Sequence, residues 1–355
     1  MYSIIGAATN PGLGVIIFML GGLAGAVFYL PFKKVKNWAW ESYWLVYAVV
    51  GLVIVPWILA LTTSPNVFSV LGAAPGKDLL YCFLCGAAWG FGGLTWGLMI
   101  RYLGVGLGLA IGCGLVMSVG SLGSEAIKGN FGALFEAGAG ITSFIGIMVA
   151  LVGIIFVGMA GMSKASELPE EEKKKTVAEF NFKLGIIVAI FSGIMSGAMG
   201  IGLQQGASIE SLALSTEPVT SNAWKGMPVL VVVLLGGFAV NFLWCLMLNF
   251  KNKTAGDYVK SGTPLLGNFV FAGLAGTIWC SQFICFKTGE PQMGGISYVG
   301  WQVLMASAIM FSTILGIFLG EWNGTSKRTR GRLATGLALL VISTGIAAYS
   351  GYLGQ

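Results

Sequence analysis

Apolar residues run along this chain in long unbroken blocks, neither alternating nor confined to one helical face. A block of about 20 largely apolar residues is long enough to cross the hydrocarbon core of a bilayer as a helix. Ten such blocks are read, at roughly 12–32, 41–61, 79–99, 104–122, 141–161, 184–204, 227–249, 265–286, 295–319 and 333–353. Membrane β-strands would be shorter and would alternate. Helices also satisfy their own backbone groups, as lipid requires. The predicted fold class is an all-α polytopic membrane protein.

Composition agrees with this pattern. Of 355 residues, 56% are hydrophobic and 10% are charged, against about 25% charged in a soluble domain. That excludes a soluble enzyme, a nucleic-acid binder and a disordered chain, whatever the net charge of +6 suggests. The 55 glycines follow no collagen period and fit close helix packing, as in G-x-x-x-G spacings.

The placement of charge orients the spans. Of the twenty Lys and Arg, sixteen fall in the connections after spans 1, 3, 5, 7 and 9, and the tails hold none. Basic residues concentrate on the cytoplasmic side. The odd connections are therefore expected to be cytoplasmic and both termini periplasmic. No basic residue precedes the first block, so it is read as an uncleaved helix rather than a signal peptide.

The longest hydrophilic stretch, 162–183, is expected to be a cytoplasmic linker. It separates a first half, 1–161, from a second, 184–355, with five spans each. An odd number per half gives the halves opposite orientations. Two inverted five-helix repeats of this kind are a recurring transporter plan, with the site between them near the midplane.

Candidate chemistry is sparse. There is no His in the chain, and no nucleophile–base constellation. Cys82 and Cys85 have C-x-x-C spacing but lie in an apolar span without companion ligands, so they are read as packing. No cofactor or metal is implied. Trp38, Trp40, Trp44, Trp57, Trp224 and Trp322 sit near span ends, as an interfacial belt would. Trp89, Trp96, Trp279 and Trp301 lie deeper. An indole face suits the C–H face of a sugar, and amides suit its hydroxyls. Gln204, Asn241, Asn268, Gln282 and Gln302 are amides within spans. Such amides also serve as interhelical glue. Charges stay near span ends: Glu41, Arg101 and Glu321 at inner ends, Asp78, Glu125 and Glu290 at outer ends.

Residues 28–41 (FYLPFKKVKNWAWE), 89–104 (WGFGGLTWGLMIRYLG), 129–131 (GNF), 179–181 (EFN) and 321–323 (EWN) closely resemble the L-rhamnose–proton symporter family of the drug/metabolite transporter superfamily. The resemblance extends from span 1 to the start of span 10. Matching positions include Ser196, Met199, Gly236, Gly237, Asn241, Trp279, Gln282 and Phe283. The resemblance implies ten helices in a bacterial inner membrane, uptake of a 6-deoxyhexose and coupling to protons. The chain departs from the enterobacterial pattern where Gly289 is followed by Glu290 rather than His.

The expected function is import of L-rhamnose or a similar neutral sugar by proton symport. Export of a small amphipathic metabolite or drug is the alternative, since the superfamily contains exporters. A sensor or scaffold is disfavoured by the lack of a soluble domain. Expected sugar-binding residues are Gln282 and Asn241 with Trp89 or Trp279, followed by Trp96, Gln204 and Gln302. Glu125, then Glu290, are the expected proton carriers, with sodium as the alternative ion. Glu41, Arg101 and Glu321 are expected in gate or structural pairs. The expected partners are the sugar, protons and the lipid bilayer, with no nucleic acid.

Overall fold

The computed structural model describes residues 9–136, 138–167 and 181–354. Among the described residues there is no strand, and ten helices are long and apolar enough to cross a membrane. They are α1 (Pro11–Val27), α2 (Trp40–Thr63), α3 (Gly76–Gly104), α4 (Gly106–Ile127), α5 (Ala139–Glu167), α6 (Phe182–Gln204), α7 (Met227–Asn252), α8 (Leu265–Gly289), α9 (Val299–Phe318) and α10 (Lys327–Leu353). All ten predicted blocks fall within or overlap these helices. The acidic and Lys-rich part of the expected linker, 168–180, lies outside the described residues.

Two local features depart from a simple run of helices. The pattern places a short connection between spans 3 and 4. The chain instead reverses at Gly104, with φ 75° and ψ 165°. A residue with a Cβ rarely adopts such a backbone, so glycine permits a one-residue turn. The side chain of Met99 then packs against Gly108 and Gly112 of the returning helix. In α2, residues Val50–Ile54 form a π-helical turn just before Pro56. Proline donates no N–H to the helix ladder, and the widened turn absorbs that loss.

Small residues set the helix spacing. In lipid, association relies on close packing more than on apolar burial. A Cβ at Gly86 of α3 would lie 1.8 Å from the Val233 carbonyl oxygen of α7, and one at Gly236 would lie 1.9 Å from the Phe83 carbonyl oxygen. The two backbones therefore touch at this crossing. Gly51 meets the backbone of Gly276 where α2 crosses α8, and Gly153 meets Gly336 where α5 crosses α10.

The contacts are reciprocal. Helix α1 packs on α8 and α9, while α6 packs on α3 and α4. Helix α2 packs on α7 and α8, and α7 packs on α2 and α3. Helices α5 and α10 pair with each other. Each helix of the first half thus makes contacts that its counterpart five positions later makes in return.

Candidate functional site

A cavity of about 470 Å³ lies among α1, α2, α3, α4, α6, α8 and α9. Its walls are chiefly aromatic. Phe28 comes from the cap that ends α1, Trp40, Trp44 and Tyr47 from α2, Trp89 and Trp96 from α3, Trp279 and Phe283 from α8, and Trp301 from α9. Ser196 and Met199 of α6, Gln282 of α8 and Gly93 and Gly97 of α3 complete the lining used below.

The rings form one connected surface. Trp40 stacks on Trp44, with centroids 5.1 Å apart and planes at 22°. Trp44 meets Tyr47 at 4.7 Å, Tyr47 meets Trp279 at 5.8 Å, and Trp279 meets both Trp89 at 4.8 Å and Phe283 at 4.6 Å. The surface runs from exposed to buried residues. Trp40 is 39% exposed and Gly97 is exposed, whereas Trp279 is 6%, Phe283 3% and Trp301 1% exposed. The cavity therefore has a mouth at the end of the bundle carrying Lys33, Lys34, Lys36 and Arg101, and a floor at Trp301.

The floor is rigidly seated. The Trp301 indole donates Nε1–H to the Val116 carbonyl at 3.1 Å. Its ring lies directly over Gly120 of α4 and Gly200 of α6, where Cβ atoms would come within 2.1 Å and 2.7 Å. Beneath the floor, Phe286 meets Trp301 edge-on at 5.5 Å and Phe18 at 5.9 Å. Phe18 in turn fills the space left by Gly289 and Gly300. Phe18 and Phe286 are completely buried. This aromatic plug closes the cavity at the end opposite its mouth.

Polar groups on the wall are few. The Gln282 amide donates Nε2–H to the Trp279 carbonyl at 3.0 Å, and its Oε1 faces Gly25 of α1. No protein acceptor among the described residues takes the indole N–H of Trp40, Trp89, Trp96 or Trp279. Such unspent donors beside aromatic faces suit a ligand with C–H faces and oxygen acceptors.

The amides named from the sequence separate here. Gln282 lines the cavity with Trp89, Trp96 and Trp279. Asn241 stands behind the wall: its Oδ1 accepts the Trp44 Nε1–H at 2.9 Å, and its Nδ2 donates to the Gly237 carbonyl. Gln204 also stands outside the lining, donating to the Gly120 and Gly200 carbonyls at 2.8 Å each, which joins α6 to α4. Gln302 is completely buried beside Gly146 of α5, and its amide meets no partner among the described residues. Asn268 is glue as well, exchanging two hydrogen bonds with the Lys36 backbone.

Trp40 and Trp44, read from the sequence as interfacial belt residues, belong to the cavity mouth. Trp38 is buried between Tyr258 and Phe269. Sequence position near a span end cannot tell a lipid-facing indole from one turned inward. The 28–41 segment was recognisable as a motif, but not as a cavity wall.

The carboxylates also differ in setting. Glu125 pairs with Lys128 at 2.9 Å, and the lysine side chain is 30% exposed. Glu41 accepts from Asn252 Nδ2 and Thr254 Oγ1, both at 2.9 Å. Its partners are thus neutral donors, and they hold α2 to the end of α7. Glu321 is exposed beside Gly316 and Arg101 is exposed near the α3–α4 turn. Glu290 is buried against Lys287, which is also bonded to Glu210 at 2.5 Å and to the Leu203 carbonyl at 2.9 Å. Glu210 also meets Lys225 at 3.6 Å. Sequence reading missed Lys287 and Glu210. The i, i+3 spacing of Lys287 and Glu290 was the available signal, whereas Glu210 lies far away in the chain.

Cys82 is buried, with its Sγ 3.5 Å from the Gly202 carbonyl oxygen. Among the described residues, no His, Cys, Asp and Glu cluster could hold a metal ion.

Comparison with known proteins identifies the family. The L-rhamnose-proton symport protein (RhaT) family matches residues 8–351. The chain is 30% identical over 340 residues to the L-rhamnose-proton symporter of Escherichia coli, covering 94% of this chain and 96% of the relative. The same identity and coverage hold for the L-rhamnose-proton symporter of Shigella sonnei. The chain belongs to the L-rhamnose-proton symporter family, as its motifs led one to expect, and is a multi-pass membrane protein.

Proposed function

We propose that this member of the L-rhamnose-proton symporter family imports L-rhamnose, or a closely similar 6-deoxy sugar, together with protons. One observation beyond family membership carries the reading. The central cavity is walled by tryptophans and holds a single amide, Gln282. A 6-deoxy sugar replaces one hydroxyl by a methyl group, so it needs more apolar wall and fewer hydrogen bonds than a hexose. Trp89 and Trp279 provide the stacking faces, Gln282 and the free indole N–H groups meet hydroxyls, and Trp96 borders the mouth. Asn241 acts through Trp44, and Gln204 and Gln302 act through helix packing. Polar capacity at the wall favours the sugar over a hydrophobic drug as cargo.

The reciprocal helix contacts support two inverted halves, 1–161 and 184–355, that alternate access to the cavity. With the basic connections cytoplasmic, the mouth faces the cytoplasm, the plug faces the periplasm and both termini are periplasmic. The described conformation is then inward-open. Purified protein in liposomes tests the reading. Radiolabelled rhamnose should accumulate when the outside is acidic, and collapse of the proton gradient should abolish accumulation. Accumulation driven only by sodium, or gradient-driven expulsion of amphipathic dyes without rhamnose transport, would refute it.

A further inference from the structure

The periplasmic end of α8 carries a charge cluster that the cavity itself does not use. Lys287 is 2% exposed and Glu290 is 9% exposed. The Lys287 ammonium has three hydrogens, and three acceptors surround it: the Leu203 carbonyl at 2.9 Å, Glu210 Oε1 at 2.5 Å and Glu290 Oε2. Glu210 sits on the short helix Ala207–Ser215 that follows α6, and Lys225 reaches it from the segment before α7. A Cβ at Gly226 would strike the Lys287 stem at 2.2 Å, so the lysine is enclosed on that side too. The cluster thus fastens α8 to the ends of α6 and to the start of α7.

A buried ion pair is a poor way to gain stability, because desolvation offsets the attraction. Its arrangement here is better suited to switching. Phe286, the neighbour of Lys287, is part of the aromatic plug. Gln282 lies eight residues before Glu290, the residue that caps α8, about 12 Å at 1.5 Å per residue. One rigid element therefore carries the sugar-facing amide, the plug and the charge cluster in succession.

We propose that the Glu290–Glu210 carboxylate pair around Lys287 binds the proton of symport and latches the periplasmic gate. The inference rests on the proton-symport reading above and names the groups that perform it. With both carboxylates ionised, Lys287 and Lys225 balance them and hold α8 closed. Proton binding to one carboxylate, Glu290 being the more enclosed of the two, removes a charge from the pair and weakens its hold on the ammonium. The end of α8 is then free to leave α6, which opens the cavity to the periplasm. The step adds one proton from the periplasm to a carboxylate oxygen. Sugar held at Gln282 draws α8 back onto α6 with that proton still bound; re-pairing with Lys287 then expels it toward the cytoplasm, and no covalent bond is broken. Charged and titratable groups facing the cluster are Lys287 and Glu290 from α8, Glu210 from the short helix and Lys225 from the pre-α7 segment. Lys128, beyond α4, also acts on Glu290 through space, and Cys82 and Asp78 of α3 complete the surroundings. Glu125, preferred from sequence, is engaged in a partly exposed pair with Lys128 instead.

The experiment measures sugar-induced alkalinisation of the medium by de-energised proteoliposomes, with radiolabelled rhamnose exchange measured in parallel. Wild type should alkalinise the medium on rhamnose addition. Glu290→Gln should lose alkalinisation and gradient-driven accumulation while exchange persists. A triple variant, Glu210→Gln, Lys287→Met and Glu290→Gln, leaves no uncompensated charge within the buried triad. It carries the same expectation if the single variant fails to fold. Alkalinisation at the wild-type level in either folded variant overturns the proposal. So does loss of exchange together with accumulation in a monodisperse variant, which would make the cluster structural. Loss of coupling in Glu125→Gln with coupling intact in Glu290→Gln overturns it in favour of the other carboxylate. If wild type exchanges rhamnose without alkalinisation, the proton-symport reading itself fails, and the latch proposal with it.

Discussion

Replacement of Gln282 is the most direct probe of the sugar site. Its side chain is 5% exposed, and its position is fixed by the 3.0 Å bond from Nε2 to the Trp279 carbonyl. A bound hydroxyl that loses a buried amide partner forfeits about 1–3 kcal/mol. At about 1.4 kcal/mol per factor of ten, that weakens binding roughly 5- to 150-fold. Gln282→Met keeps the length and most of the volume while removing both the donor and the acceptor, so the aromatic wall stays filled. Rhamnose titrated into detergent-purified protein, followed by indole fluorescence, reads the affinity because tryptophans line the cavity. Deoxy analogues then locate the contact: the analogue missing the hydroxyl that Gln282 meets should bind wild type and Gln282→Met equally well. Wild-type rhamnose affinity in a folded Gln282→Met protein would refute the assignment of this amide to the sugar.

Three other outcomes are expected. Asn241→Ala frees the Trp44 indole from its 2.9 Å bond and should weaken rhamnose binding by about 0.5–1.5 kcal/mol; calorimetric titration checks this, and a Trp44→Phe background should abolish the difference. Gly120→Ala places a methyl 2.1 Å from the Trp301 Nε1; overpacking of about 1–3 kcal/mol should lower the thermal midpoint and slow exchange, and an unchanged melting curve would contradict the close seating of the floor. In a Cys-less background, an impermeant thiol reagent applied from the periplasmic side should label Thr9→Cys and spare Ala165→Cys, and the reverse pattern would invert the proposed orientation.

The number of spans and the helical class were legible because they follow from one-dimensional quantities. A hydrocarbon core of fixed thickness demands long apolar blocks whatever surrounds them. The cavity was only half legible. Trp89, Trp96, Trp279 and Gln282 stood out as polar or aromatic residues at depth, and the structure gathers them around one space. Asn241, Gln204 and Gln302 had the same signature, yet they face other helices. The sequence contains no information on whether an amide inside a span meets ligand, backbone or, like Gln302, no partner among the described residues.

What only the tertiary structure decided is which faces meet. Trp40 and Trp44 turn inward because α2 packs on α7 and α8, with Asn241 holding the indole. Glu210 and Lys287 are 77 positions apart, and their ion pair exists because the helix after α6 folds back over the end of α8. The residue types and their depth are local properties of the chain. The direction of a side chain around its helix depends on crossings such as Gly86 on Gly236, where two distant segments must fit at once. Site residues drawn from seven helices are therefore specified by the packing of those crossings rather than by any one stretch of sequence.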